Sequence, residues 1–268
     1  MDLTITYWLL YAGTGLVTGV LAGLMGVGGG LVIVPALTLI FTAQGFPHQY
    51  LAHAVLGTSL ATIIFTSISS FRAHHKRGAV NWRIVRDITI GILVGTFCGS
   101  WVAAQLSTNF LKIFFAIFLL VVAAQMFMDF KPKASRDMPG ALGTNLMGLF
   151  IGLVSALVGI GGGSISVPFM IWCNIDTRNA IGTSAAIGFP IAIAGAAGYL
   201  VNGLGATDLP DYSLGFIYLP ALLGIALLSV TTAPLGARLA HTLPVPVLKK
   251  GFAVLLVIMA ARMLWGAL

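Results

Sequence analysis

The chain has 268 residues, 58% of them hydrophobic and only 8% charged, with a mean hydropathy of +1.01 and a net charge of +7. Soluble domains carry roughly 25% charged residues, so this chain cannot cover a globular surface with polar groups, and lipid is its natural solvent. Glutamate is absent and Asp+Glu total seven, too few carboxylates for an ordinary soluble enzyme, while the basic residues stand in short clusters between apolar runs, which argues against nucleic-acid binding.

The opening "MDLTITYW" lacks a basic region and a small-residue cleavage site, so the first segment is expected to be retained. A membrane crossing needs about 20 apolar residues. A compound stretch comes first, 6–25 plus 31–44, interrupted by glycines, and full-length spans are predicted over 51–72, 84–106 and 110–130. A basic connector at 131–143 holds Lys131, Lys133 and Arg136. A second compound stretch, 142–159 plus 164–175, precedes spans over 180–203, 213–237 and 247–267. Cys98 and Cys173 lie in apolar surroundings without metal-ligand spacing and read as small buried hydrophobes.

The two series repeat one another. "GLMGVGGGLVIVP" from Gly23 matches "ALVGIGGGSISVP" from Ala156, "HAVLGTSLA" from His53 matches "RNAIGTSAA" from Arg178, and "GSWVAAQL" from Gly99 resembles "GARLAHTL" from Gly236. The predicted fold is an all-α polytopic membrane protein of two repeats with about five segments each, 1–130 and 144–268. Loop charge then sets orientation. Arg72, Lys76, Arg77, Arg83 and Arg86 follow the span at 51–72, whereas the corresponding loop near 203–213 has no Lys or Arg. The neutral "LSTN" at 106–109 corresponds to a region with Arg238, Lys249 and Lys250. Equivalent loops on opposite sides make the repeats inverted, with Met1 outside, the connector inside and the C-terminus outside; Lys112, Arg178 and Arg262 are the exceptions.

Inverted repeats place a binding site where corresponding broken helices meet. The triplets Gly28-Gly29-Gly30 and Gly161-Gly162-Gly163 are the expected breaks or re-entrant turns, with Gly26 and Gly159 as hinges. Close helix packing explains Gly19, Gly23, Gly91, Gly95 and Gly99. It explains three adjacent glycines poorly, because neighbours in sequence face different sides of a helix. A segment starting after each triplet offers free N–H groups and a positive dipole end, and two such ends facing each other make an anion site. Pro35 and Pro168 fall beyond the first turn and are expected to kink the outgoing segments.

Thr58, Ser59, Thr183 and Ser184 are candidate donors to a bound oxyanion; the alternative is a bond back to the carbonyl one turn earlier. His53 and Arg178 occupy matching positions and are candidates for substrate or gating contact, although an interfacial Arg178 near Asp176 would simply snorkel. No carboxylate lies mid-segment, which leaves His53 as the best titratable group if protons couple to transport. Ser164 admits an intramembrane hydrolase, but its counterpart is Leu31, and the glycine runs lack the Lys-Ser/Thr of a phosphate-binding loop.

"GVGGGLVIVP" and "GIGGGSISVP", each followed by a Gly-Thr-Ser element, resemble the TauE/SafE sulfite exporter family, also described as toluene-sulfonate uptake permeases. The resemblance covers nearly the whole chain. It implies a bacterial inner-membrane secondary transporter for a small sulfur-containing anion such as sulfite, thiosulfate, sulfoacetate or another organosulfonate, in either direction. No cofactor or metal is implied, and the coupling ion, a proton or sodium, stays open. The family's motifs carry over to Gly26, Gly28, Gly29, Gly30 and Pro35, to Gly159, Gly161, Gly162, Gly163 and Pro168, and to Thr58-Ser59 and Thr183-Ser184. Trp172, Asn174 and Phe189 are candidates for holding an organic tail. A passive anion channel is the rival reading.

Overall fold

The structure is a computed structural model that describes residues 4–26, 28–128, 136–242 and 245–265. Met1, Lys131 and Lys133 lie outside the described residues. In chain order the helices are α1 (Ile5–Met25), α2 (Gly30–Ala43), α3 (His48–His75), α4 (Trp82–Ala104), α5 (Thr108–Phe127), α6 (Ala141–Val158), α7 (Gly163–Trp172) and α8 (Thr177–Gly203). A two-stranded hairpin, β1 (Ser213–Leu214) and β2 (Ile217–Tyr218), precedes α9 (Leu219–Thr242) and α10 (Val245–Trp265). Among the described residues, seven helices are long and apolar enough to cross a membrane, namely α1, α3, α4, α5, α6, α8 and α9. The chain is therefore an all-helical, multi-pass membrane protein.

The two short helices explain the compound stretches. With 14 and 10 residues, α2 and α7 reach about 21 and 15 Å at 1.5 Å per residue, well short of a hydrocarbon core about 30 Å thick. Each turns back along the helix before it. The Tyr7 hydroxyl donates to the Ala43 carbonyl at 3.3 Å and the Tyr11 hydroxyl to Gln44 Oε1 at 2.8 Å, which brings the end of α2 beside the start of α1. At the other hairpin, the Arg136 guanidinium lies 4.9 Å over the Trp172 ring, joining the approach to α6 with the end of α7. The glycine motifs are thus the tips of two helical hairpins. Pro35 and Pro168 sit inside α2 and α7, each as the sixth helical residue. A proline there removes one bond to the preceding turn, yet both helices continue past it.

α3 and α8 form the centre, with 83% and 72% of their spanning windows buried, against 39% for α1, α5 and α6. Glycine stripes let the outer pairs close on them. A side chain at Gly15, Gly19 or Gly23 of α1 would strike the backbone of α9 at Ile225, Ser229 or Ala233. The same holds for Gly91 and Gly95 of α4 against Asn145 and Leu149 of α6. Between helices in lipid there is little hydrophobic drive, so close backbone approach supplies the packing energy. α1 therefore packs on α9 as α6 packs on α4.

One predicted boundary is corrected. The span expected over 213–237 begins only at Leu219, because Ser213–Tyr218 forms the β-hairpin. "SLGFIY" is apolar enough to read as helix by hydropathy, but Gly215 adopts a positive φ of 54° that turns the chain. Gly203 of α8 packs directly on the Gly215–Phe216 backbone, where a side chain would collide. Phe216, Ile217 and Tyr218 are consequently buried against the bundle.

Candidate functional site

α1 ends at Gly26, whose φ of 67° closes the helix with its N–H donating to the Ala22 carbonyl at 3.0 Å. α6 ends the same way at Gly159, φ 68°, bonded to the Ser155 carbonyl at 2.8 Å. The chain reverses through left-handed Gly29 and Gly162, which precede the first residues of α2 and α7. A Cβ is disfavoured at such angles by about 1–2 kcal/mol, so the reversal needs glycine. The two tips touch. A Cβ on Gly28 would stand 3.2 Å from the Gly161 Cα, and one on Gly30 would collide with the Gly159 carbonyl. Val32 and Ile33 donate to the Gly29 carbonyl and Ile165 and Ser166 to the Gly162 carbonyl, so the N–H groups of Gly30 and Leu31 and of Gly163 and Ser164 are the first-turn donors without an acceptor inside their helices.

The Gly-Thr-Ser elements lock this crossing. Ser59 Oγ on α3 donates to the Gly159 carbonyl at 2.8 Å, and Ser184 Oγ on α8 donates to the Gly26 carbonyl at 2.9 Å. Thr58 Oγ1 accepts from the Tyr218 N–H at 2.9 Å, and Thr183 Oγ1 accepts from the Asn81 N–H at the same distance. Gly57 and Gly182 leave no room for a side chain beside the Phe216 and Ala79 carbonyls. In each motif the glycine admits an extended segment, the threonine receives its N–H, and the serine holds the opposite hairpin tip. All four hydroxyl residues are fully buried. They bond across the molecule, to neither the carbonyl one turn earlier nor open space.

A third matched pair escaped the sequence reading. His74 Nε2 lies 2.9 Å from the Gly23 carbonyl, and Tyr199 Oη donates to the Ala156 carbonyl at 2.9 Å. Gly23 and Ala156 are the first residues of the two aligned glycine motifs, but histidine and tyrosine do not align by identity. Nor were Thr18 and Ser155 singled out. Thr18 packs where Gly29 would carry a Cβ, and Ser155 where Gly162 would. Both are fully buried, and Thr18 Oγ1, Ser155 Oγ and Ser164 Oγ have no hydrogen-bond partner among the described residues. Burying an unpaired hydroxyl costs roughly 1–3 kcal/mol, and these three lie beside the hairpin tips.

The charged candidates are not gathered at this centre. His53 is buried near the start of α3, with Nε2 3.1 Å from the Ala103 carbonyl and its ring against Phe216. Arg178 is exposed in the first turn of α8, its backbone N–H bonded to the capping carboxylate of Asp176 at 3.0 Å. Trp172 and Asn174 are exposed at the far end of α7, while Phe189 meets the Phe71 ring edge-on at 6.0 Å, so no tail pocket unites them. Lys112, passed over as an exception to the charge pattern, is 7% exposed on α5. It lines a small cavity with Val34, Thr38, Ala52 and Leu56, and Val34 and Leu56 in turn close over Gly159.

Known proteins resemble this chain along its length. The family described as "Sulfite exporter TauE/SafE" matches residues 11–263. A "Probable membrane transporter protein" of Haemophilus influenzae is 40% identical over 96% of this chain and 98% of its own length. A similarly named protein of Methanocaldococcus jannaschii is 30% identical over 84% of this chain and 83% of its own. YunE of Bacillus subtilis, also named a probable membrane transporter, is 27% identical over 70% and 77%. No solved structure matches the chain.

Proposed function

Because the chain belongs to the TauE/SafE sulfite exporter family of membrane transporters, we propose that it carries a small sulfur-containing anion, such as sulfite, thiosulfate, sulfoacetate or another organosulfonate, by alternating access. The observation that supports this reading is the meeting of the hairpin tips, where the N-termini of α2 and α7 open beside unsatisfied Thr18, Ser155 and Ser164 hydroxyls. Sulfite and sulfonate groups present several acceptor oxygens around one charge. Backbone N–H groups, hydroxyls and positive helix ends suit them without a cage of countercharges.

The two halves act in this proposal as inverted repeats, 1–130 and 144–268, joined by the basic connector. The hairpins α1–α2 and α6–α7 enter from opposite faces, and the Gly-Thr-Ser elements of α3 and α8 hold the tips together in the occluded state. Release of the Ser59 bond opens one side and release of the Ser184 bond opens the other. His53 and Lys112 stand toward one mouth and Arg178 toward the other, drawing the anion to the path. In a bacterial cell this places the protein in the inner membrane.

A thermal-shift screen of the purified protein with sulfite, thiosulfate, sulfoacetate, taurine, sulfate and acetate tests the substrate class, since a ligand stabilises the state that binds it. A sulfur oxyanion or sulfonate should stabilise, and acetate should not. Lys112→Ala and Arg178→Ala should each weaken that binding by about tenfold, the scale of one lost charge–charge contact in a water-like dielectric. Equal stabilisation by acetate, or affinity unchanged in both variants, would sink the assignment. Saturable counterflow in proteoliposomes separates a carrier from the rival channel, which conducts without it.

A further inference from the structure

A groove of about 600 Å³ opens between the second half of α3 and the second half of α9, and it has no part in the hairpin site. On α3 and its C-cap the wall runs through Phe65, Ile68, Arg72 and Lys76, residues three or four apart and so on one helical face. On α9 it runs through Val230, Pro234 and Arg238, four apart. Both walls read from apolar to basic in the same direction. Ser69 Oγ ties them together by donating to the Val230 carbonyl at 2.7 Å. With Arg77, four cations line the groove and no carboxylate does. Phe65 at the apolar end is 46% exposed.

The other half of the molecule supplies an internal comparison. In the register of the sequence repeat, the corresponding positions are Pro190, Ile193, Ala197 and Val201 on α8 and Leu93, Phe97 and Trp101 on α4, none of them charged and all but Pro190 exposed. Trp101 stands where the α3–α9 groove has Arg238. Isolated snorkelling would scatter cations around the membrane rim. Here they converge from two helices on the end of one apolar channel.

We propose that the α3–α9 groove binds one anionic phospholipid, its phosphate held by Arg72, Lys76 and Arg238 and its acyl chains laid along Phe65, Ile68, Val230 and Pro234. The charge complementarity selects the occupant. A zwitterionic lipid brings no net charge to four cations, and a free inorganic anion leaves the apolar wall unused. Juxtamembrane cations attract anionic lipid and not zwitterionic lipid, so the cluster gives selectivity as well as contact. The site stands whether or not the transported anion is a sulfur compound.

The test uses the full chain, purified and delipidated in detergent, with dioleoylphosphatidylglycerol or dioleoylphosphatidylcholine added. Native mass spectrometry should show one phosphatidylglycerol retained in preference to phosphatidylcholine, with a higher unfolding temperature. The double variant Arg72→Gln/Lys76→Gln should lose about tenfold or more of this affinity, and Arg72→Lys/Lys76→Arg should retain it. Equal retention of the two lipids by the unmodified protein overturns the proposal without any variant having to fold. So does undiminished phosphatidylglycerol binding in the Gln variant. Displacement of the lipid by millimolar sodium phosphate or sulfate would identify a soluble-anion site and overturn it as well.

Discussion

Ser59 and Ser184 donate their hydroxyl hydrogens to carbonyls left open where α6 and α1 stop, at Gly159 and Gly26. A carbonyl at a helix C-terminus has no intrahelical donor, and at the centre of a bundle in lipid no water replaces one. Side-chain hydrogen bonds between membrane helices are worth about 0.6 kcal/mol on average and up to roughly 1.7. Ser59→Ala and Ser184→Ala should therefore each lower unfolding stability by about 1 kcal/mol, read as a downward shift in the thermal unfolding of detergent-solubilised protein. If the same bonds are the latches of transport, the two variants should also differ in the side from which the cavity is reached. Thiol accessibility on the two faces would measure that. A stability loss with unchanged accessibility would leave the serines as structural ties alone. The repeated Gly-Thr-Ser was visible in the sequence, but its partners were not, because Gly159 lies 100 residues from Ser59 and Gly26 lies 158 from Ser184.

At the scale of elements, the hairpin tips depend on glycine for two separable reasons, conformation and space. Gly28 and Gly45 share a φ of 74°. A Cβ at Gly28 would meet Ile63 Cγ2 at 3.0 Å and the Gly161 Cα at 3.2 Å, whereas nothing lies within 4 Å of one at Gly45. Gly45→Ala should cost only the backbone penalty, about 1–2 kcal/mol, and keep transport. Gly28→Ala should add steric separation of the two tips and abolish transport at comparable expression. Proteoliposome uptake with thermal unfolding on both variants checks this, and equal uptake would remove the tip contact from the mechanism. The breaks themselves were legible in "GVGGG" and "GIGGG", since three successive glycines have no use in a packed helix. The reversal into hairpins was not. It shows only in the contacts of Tyr7 and Tyr11 with the end of α2 and of Arg136 with Trp172.

At the scale of the molecule, loop charge and helix count combine into an orientation. If each glycine hairpin returns to its own side, α3, α4 and α5 make three crossings in the first half, and α8, α9 and the span expected from the sequence over 247–267 make three in the second. An odd number inverts the halves. A cysteine at Lys76, after α3, and one at Leu204, after α8, should then react from opposite faces of the membrane, with position 76 on the cytoplasmic face. A Cys98→Ala background removes the exposed native thiol; Cys173 is buried. Membrane-impermeant maleimide on intact cells against inverted vesicles reads the result, and labelling of both positions from one face would reject the inverted arrangement.

Composition, the period of apolar segments and the twin glycine motifs were enough to determine a multi-pass helical membrane protein and the family it belongs to. Each is a local property, because lipid demands about 20 apolar residues per crossing and internally satisfied backbone. Only the tertiary structure decided which groups answer one another. It folded "SLGFIY" into a hairpin where hydropathy predicted a span, and it paired His74 with Gly23 as Tyr199 pairs with Ala156. It also buried Lys112 beside Val34 and Leu56 while leaving Arg178 exposed. In an apolar chain the few polar groups must find partners across the bundle, and which partner each reaches depends on how the helices pack.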